Sequence, residues 1–488
     1  MSNETLVTLA LLIPALGAIL IPLARNAPNL RETVTLVTAV ALFLAVLLLF
    51  GRVMAGERPE ASLITIMPGV DMAFSIEPLG MLFALVASSL WIVNSIYSIG
   101  YMRGNNEMRQ TKFYVCFAVA IASTMGIAFA KNLFTLFIFY EALTLSTYPL
   151  VTHKGTDEAK RGGRIYLVLL LATSMLLLLP AIMVTWFLTG TMDFTVGGIL
   201  GGKADGLVTG VLLAFYAFGI GKAALMPFHF WLPNAMVAPT PVSALLHAVA
   251  VVKAGVFSVL KIVVYIFGID YLAETGLNNW ILLVAGTTVV LASLIAMTKD
   301  NLKARLAYST VSQLAYIVLG AELATDLGIL GGSMHIAMHA VGKITLFMCA
   351  GAIYVAAHKT EISDMSGLGR VMPFTFGAFF IGALCIIGLP PTGGLWSKWY
   401  LALGALDAGR VSVLGVLMLS SVLNIIYLMP IPIKGFFGKP TSEEAKAEGV
   451  HEAPTACLIA IGITSALCVL LFFFPGTIYE LASMIKLR

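Results

Sequence analysis

The sequence predicts an all-α polytopic membrane protein of about fourteen transmembrane helices, built around two inverted five-helix repeats with one broken helix in each. Three observations carry this. Of the 488 residues, 59% are hydrophobic and only 11% charged, whereas a soluble domain carries about 25% charged residues. Apolar runs of ~20 residues, enough to cross a bilayer, recur along the whole chain. The positive charges between these runs alternate in density from one loop to the next.

Taken in order, the helices are expected to start near residues 5, 33, 76, 113, 133, 165, 206, 242, 278, 304, 327, 372, 411 and 455. The first run lacks a basic leader and a clear cleavage site, so it reads as a retained span. The stretch Leu63 to Met72 is too short to cross and reads as a hairpin in the second loop. This divides the chain into helices one to three (1–112), a first repeat (113–267), a second, inverted repeat (278–432), and a last helix with its tail (453–488).

Loops after odd-numbered helices hold 17 of the 29 Lys and Arg residues, Lys446 among them. Loops after even-numbered helices hold five: Arg52, Arg58, Lys131, Lys203 and Arg410. Lys486 and Arg488 lie past the last span. The positive-inside rule then puts the odd loops in the cytoplasm and both termini outside, as for a protein of the cell's inner membrane. A net charge of +4 spread over many short loops argues against nucleic acid as a partner. The five cysteines sit in apolar runs without metal-ligand spacing and read as small core residues.

The remaining cations are Lys222, Lys253, Lys261, Lys343 and Lys398, all inside expected helices. Lys261 is expected to reach an interface with its long stem. The other four have no such exit, and ionisable groups at bilayer depth normally face a bundle interior or a hydrated cavity. Glu141, His247, His335 and His339 share that setting. Glu141 lies in "NLFTLFIFYEALTLSTYPLV", where an ionised side chain costs ~2.5–3.5 kcal/mol on insertion scales.

Two helices are interrupted. In "FGIGKAALMPFHFWLPNAMVAPTPVSALLHAV" Pro227 and Pro233 remove backbone donors, and in "CIIGLPPTGGLWSKWYL" Pro390, Pro391, Gly393 and Gly394 do the same. Broken helices survive at membrane depth only where the freed groups face protein or water. The breaks fall in helices seven and twelve, five apart, which makes helices four to eight and nine to thirteen equivalent and inverted; matched breaks of this kind point to an ion path near the midplane. In "HIAMHAVGKITLF" His335, His339 and Lys343 recur every four residues, a stripe ~12 Å long on one helix face. "LAYSTVSQLAYIVLG" adds Ser309, Thr310, Ser312 and Gln313. Each group also has a plainer explanation. Glu141 could be a structural ion pair, Lys222 and Lys253 could bind carbonyls freed by the break, and the histidines could be satisfied interior residues. A zinc site at His335 and His339 lacks an acidic third ligand. His229 reads as a cap of the broken segment.

These motifs carry a resemblance. "YEALTLSTYPLV", "GKAALMPFHFWLPNAMVAPTPVSALLHAV", "LKARLAYSTVSQLAYIVLG", "HIAMHAVGKITLF" and "GLPPTGGLWSKWYL" resemble the antiporter-like proton channel family: large membrane subunits of respiratory complex I, their hydrogenase relatives, and the two large Mrp cation/proton antiporter subunits. The resemblance implies fourteen helices with two inverted repeats. It implies that Glu141 pairs with Lys222 on helix seven, that His247 and Lys253 bridge on helix eight, that His335, His339 and Lys343 relay on helix eleven, and that Lys398 ends the path on helix twelve. It further implies other membrane subunits as partners, one larger and homologous and several small, with no cofactor and no metal. Within the family, the length, the short tail after the last helix, Lys398 and Glu141 together fit the Mrp D-type branch, with complex I and hydrogenase subunits as the alternative.

The expected activity is proton transfer along the Glu141–Lys398 axis of a monovalent cation/proton antiporter, with Na⁺ as the expected cation. A scaffold subunit that moves nothing, or a transporter working alone, are the rival readings. No nucleotide, haem or iron–sulfur motif points to redox chemistry in this chain. The charge alternation gives one direct test. A cysteine placed between Thr152 and Arg164 should resist membrane-impermeant maleimide in intact cells and react after permeabilisation; labelling from outside contradicts the orientation.

Overall fold

In the computed structural model, residues 1–67, 69–439 and 451–485 are described. Lys446, Lys486 and Arg488 lie outside them, as does Pro68 in the expected hairpin. Every expected helix start falls inside a helical stretch or within two residues of one, so the ordinals serve as labels below. Among the described residues, eleven helices are long and apolar enough to cross a membrane: Asn3–Ala24, Pro28–Met54, Pro78–Gly104, Gln110–Ala128, Leu133–Val151, Asp157–Thr189, Thr240–Phe267, Asn279–Thr298, Asp326–Ala357, Val411–Phe437 and Thr455–Phe473. The three expected spans outside that set have physical reasons to differ. Helix seven is regular only over Gly206–Gly219 before its break, and helix twelve is split into Pro373–Ile387 and Gly394–Asp407. Helix ten, Leu302–Glu322, carries Lys303, Arg305, Gln313 and Glu322.

Between helices two and three, Glu60–Met67 and Val70–Ser75 form the antiparallel hairpin anticipated from the short apolar stretch. Several cations counted as loop charges sit on helix ends instead. Arg31 is buried in helix two beside Glu32, which Arg103 of helix three also binds. Lys160 lies in the first turn of helix six, and Lys303 in that of helix ten.

The break in helix seven comes earlier than proline chemistry alone suggests. The α-helix stops at Gly219, a 3₁₀ turn follows at Gly221–Ala223, and Ala224 takes a left-handed conformation with φ 53°. Pro233 does not break anything. It sits in the short helix Trp231–Asn234, where a first-turn residue needs no amide donor.

Helix eight is the most enclosed of the long helices, buried along its whole crossing window. It is not regular. Wide π turns occupy Leu245–Val249 and Val263–Phe267, and Ala250 between the first of them and the next helical stretch has φ −120° and ψ −73°. Such turns are rare and concentrate at functional positions. Nothing in the local sequence announces them.

Close approaches fix the second break. A Cβ on Gly394 would lie 1.8 Å from the Cys385 carbonyl oxygen. Overpacking of this kind costs ~1–3 kcal/mol or more. Gly394→Ala should therefore lower the amount of monodisperse protein recovered from membranes, measured by fluorescence-detected size exclusion. Gly377→Ala, where a Cβ meets nothing within 4 Å, should not.

Candidate proton-transfer site

Helix five begins at Asn132, whose side chain accepts from the Thr135 amide at 2.8 Å. Two turns on, Tyr140 and Thr144 stand on the face turned toward the broken helix. Lys222, carried by the 3₁₀ turn, reaches this face. Its ammonium donates to the Tyr140 carbonyl at 2.9 Å and to the Thr144 hydroxyl at 2.5 Å, and lies 3.2 Å from the centre of the Tyr140 ring. The Lys222 amide donates to the Tyr140 hydroxyl at 3.1 Å, and the Trp231 indole donates to the Gly221 carbonyl at 2.9 Å. The turn is thus tied at both its backbone and its side chain.

The expected Glu141–Lys222 ion pair is not a contact in this structure. Both Glu141 carboxylate oxygens are buried without a hydrogen-bond partner among the described residues. The reason is helical geometry: neighbouring positions point ~100° apart, and Lys222 is held on the Tyr140–Thr144 side. Glu141 instead shares its face with Ile138 and Leu145, which are 37% and 56% exposed.

A second cluster joins helices eight, ten, eleven and twelve. Lys253 shares a 2.6 Å hydrogen bond with His339 Nδ1. The His339 ring stacks on His335 at 5.7 Å, and His335 stacks on Tyr316 at 5.6 Å. His335 Nδ1 meets the Ser397 hydroxyl at 2.8 Å, and its Nε2 donates to Gln313 Oε1 at 3.2 Å. Lys398, half-buried, follows Ser397. Its ammonium donates to the Ile387 carbonyl at 2.9 Å, a group freed by the helix-twelve break, and lies 4.9 Å from the Tyr316 ring centre. Lys253, His339 and His335 therefore stand in one row that Tyr316 and Ser397 extend to Lys398, with hydrogen bonds at Lys253–His339 and His335–Ser397, ring stacking at His339–His335, and no hydrogen-bond partner for His339 Nε2 among the described residues.

Two expected members stand apart from that line. Lys343 donates to the Ser309 hydroxyl at 2.6 Å and the Leu306 carbonyl at 3.3 Å, and Tyr427 donates to the same serine at 2.8 Å. His247, inside the first π turn, packs its ring on Phe347 at 4.6 Å, and neither nitrogen has a partner among the described residues. His229 stacks on Phe230 at 4.2 Å, away from both clusters. Among the described residues no group of three or more His, Cys, Asp or Glu side chains could hold a metal.

Lys261 does not reach an interface. It is 1% exposed and pairs with Glu77 at 2.9 Å. Sequence reasoning overlooked Glu77 because it precedes Pro78 at a helix start, where a carboxylate is ordinary. It also missed Tyr140, Thr144, Ser397 and Tyr316. The available signal was spacing: Tyr140 and Thr144 are four apart and flank Glu141, and Tyr316 follows Gln313 by three.

The two lysines at the breaks have matching surroundings. Lys222 of helix seven lies over a tyrosine of helix five and donates to a carbonyl and a hydroxyl. Lys398 of helix twelve lies over a tyrosine of helix ten and donates to the Ile387 carbonyl and, at 3.4 Å, the Ser421 hydroxyl.

Comparison with known proteins adds independent observations. The family described as "NADH:quinone oxidoreductase/Mrp antiporter, TM" matches residues 130–424. Hydrogenase-4 component B of Escherichia coli (strain K12) is 31% identical over 82% of this chain, which spans 62% of that protein's length. NADH-quinone oxidoreductase subunit N of Desulforudis audaxviator is 32% identical over 78% of this chain and 75% of its own. The D-type subunit of the Na(+)/H(+) antiporter of Alkalihalophilus pseudofirmus is 28% identical over 78% of each. In fold, a chain of the Mrp complex from Dietzia sp. DQ12-45-1b superposes with a TM-score of 0.87 at 22% identity, covering 99% of this chain and 97% of that one.

A Cβ on Gly255 of helix eight would lie 2.3 Å from the Lys222 carbonyl carbon and the Ala223 nitrogen. Gly255→Ala should push the Lys222 turn off helix five and lower the amount of monodisperse protein recovered from membranes at least twofold by fluorescence-detected size exclusion. Wild-type recovery of this variant would show that the turn does not depend on the close approach of helix eight.

Proposed function

The chain belongs to the NADH:quinone oxidoreductase/Mrp antiporter family of membrane subunits, and from that premise we propose that it carries protons in a multisubunit monovalent cation/proton antiporter, most simply Na⁺/H⁺. It is a transporter subunit rather than an enzyme on this reading. The single observation behind it is the row of exchangeable groups from Lys253 through His339 and His335 to Ser397 and Lys398, in which hydrogen bonds join Lys253 to His339 and His335 to Ser397. Water carrying the proton across the two remaining gaps, His339 to His335 and Ser397 to Lys398, completes a path of short steps in this reading. A scaffold has no need of these groups and incurs the cost of their desolvation.

Glu141 and Lys222 act as the gate. With its ammonium on Tyr140 and Thr144, Lys222 leaves Glu141 unpaired. In this mechanism a change of side-chain rotamer brings the two charges together. A proton is held at Lys222 when the carboxylate is close and moves on toward helix eight when it is not, with His247 and Lys253 as the next acceptors. Lys343 branches from the line, and Lys398 releases the proton. The matching environments of Lys222 and Lys398 support two inverted repeats, helices four to eight and nine to thirteen, within a fourteen-span subunit. The odd-numbered loops face the cytoplasm, and other membrane subunits complete the machine.

A second reading is a proton-translocating subunit of a redox-driven complex, favoured by the 32% identity to an NADH-quinone oxidoreductase subunit. It uses the same axis. The pairing of Glu141 with Lys398 in one chain supports the antiporter branch. Vesicles driven by a pH gradient alone separate the two, because an antiporter responds to added Na⁺ without a reductant.

In those vesicles Glu141→Ala and Lys222→Ala should each abolish cation-dependent proton transport while assembly persists. Glu141→Asp should keep part of it. A purely structural pair predicts recovery when both charges go, so normal transport by Glu141→Gln/Lys222→Met would overturn the gate.

A further inference from the structure

Away from the axis, at the end of helix eight nearest the hairpin, a cavity of about 320 Å³ is lined by Arg58, Glu60, Glu77, Lys131, Lys261 and Tyr265, among others. Its mouth is polar and open: Lys131 and Glu60, 36% and 51% exposed at their side chains, pair there at 3.0 Å. Its floor is closed and holds the ammonium of Lys261.

The surroundings of this ammonium are those of a bound cation. Glu77 Oε1 lies 2.9 Å away, the Ala130 carbonyl accepts from it at 2.7 Å, and the rings of Phe194 and Phe257 have their centres at 4.6 and 5.4 Å. A carboxylate, a carbonyl and two π faces converge on one point. Nearby, the Tyr265 hydroxyl, on a residue 3% exposed, lines the same cavity as Arg58. Carboxylate, carbonyl and phenol oxygens on one cavity are the donor type that a hard monovalent ion takes.

We infer that this cavity is a monovalent-cation site of Na⁺ class, with the Lys261 ammonium as a tethered occupant that the ion replaces. When Lys261 gives a proton to water in the open mouth, its amine becomes neutral and one Na⁺ takes the position beside Glu77. One positive charge leaves as another arrives, so Glu77 is never left unpaired. Proton and cation thus exclude one another at a single carboxylate. The titratable and charged groups facing the pair are Glu77 from the start of helix three, Arg58 and Glu60 from the hairpin region, Lys131 from the fourth loop and Tyr265 on helix eight. Lys261 lies eight residues beyond Lys253 on helix eight, about 12 Å along its axis, and shares no hydrogen-bond partner with it. The inference deepens the antiporter reading and rests on it.

The test is equilibrium ²²Na⁺ binding to the purified assembled complex between pH 6 and 9, with proton transport measured in parallel. Wild type should bind more tightly as pH rises. Lys261→Ala should bind at least fivefold more tightly at pH 7 and lose most of that pH dependence. Glu77→Gln should weaken binding at least tenfold. Tyr265→Phe, which keeps the ion pair, should weaken it about threefold and carries the test if a charge variant fails to assemble. Lys222→Ala should stop transport and leave binding unchanged. Binding that is the same in every assembled variant of Lys261, Glu77 and Tyr265 overturns the site while leaving the axis intact. A wild-type complex without cation-dependent proton transport would instead overturn the antiporter reading.

Discussion

An ammonium inside a bilayer needs acceptors, and this fold depends on supplying them. Water provides none in the hydrocarbon layer, and the carbonyls of a regular helix already accept from its own ladder and can only be shared, as those of Tyr140 and Leu306 are with Lys222 and Lys343. The chain solves this by breaking helices. Ile387 ends the first half of helix twelve, and its free carbonyl holds Lys398. Lys222 sits in the break itself, on a turn short enough to reach the Tyr140 carbonyl on helix five. Lys261 takes the Ala130 carbonyl in the loop between helices four and five. In each case a position that costs backbone order holds a charge where it could not otherwise stay.

The second ingredient is small residues at crossings. Gly255 lets helix eight lie against the Lys222 turn, and Gly394 lets the two halves of helix twelve close over the break. Gly320, Gly328 and Gly332 bring helices ten and eleven together, one crossing away from the Gln313–His335 contact. Packing and polar contact are therefore one feature: a methyl group at these glycines would displace the side chains of the row and the Lys222 turn.

The two clusters differ in a way that bears on function. The row from Lys253 to Lys398 is joined by hydrogen bonds at Lys253–His339 and His335–Ser397 and by stacked rings between them. Glu141 on helix five and Lys222 on the turn of helix seven are not bonded, and the carboxylate is unpaired among the described residues, beside the exposed Ile138 and Leu145. An unpaired buried carboxylate costs stability, and folds keep such groups where a change of partner is useful. A gate needs two positions of similar energy, whereas a wire needs only continuity.

By itself the sequence determined the membrane class, the places of the helices, the hairpin and the two breaks. Each follows from local chemistry: apolar length, the charge of loops, and prolines and glycines that cannot continue a ladder. It also singled out the eight polar residues, because an ionisable side chain in an apolar run is conspicuous whatever surrounds it. Partnership was not legible. That Lys222 rests on Tyr140 and Thr144 rather than Glu141, that Lys261 is buried against Glu77 rather than drawn to an interface, and that His247 faces Phe347 were decided by which helix faces meet. So were the π turns of helix eight. A hydrogen bond between residues 86 apart, as from Lys253 to His339, depends on the rotation and depth of two helices, and those are set by packing among many elements rather than by any one segment.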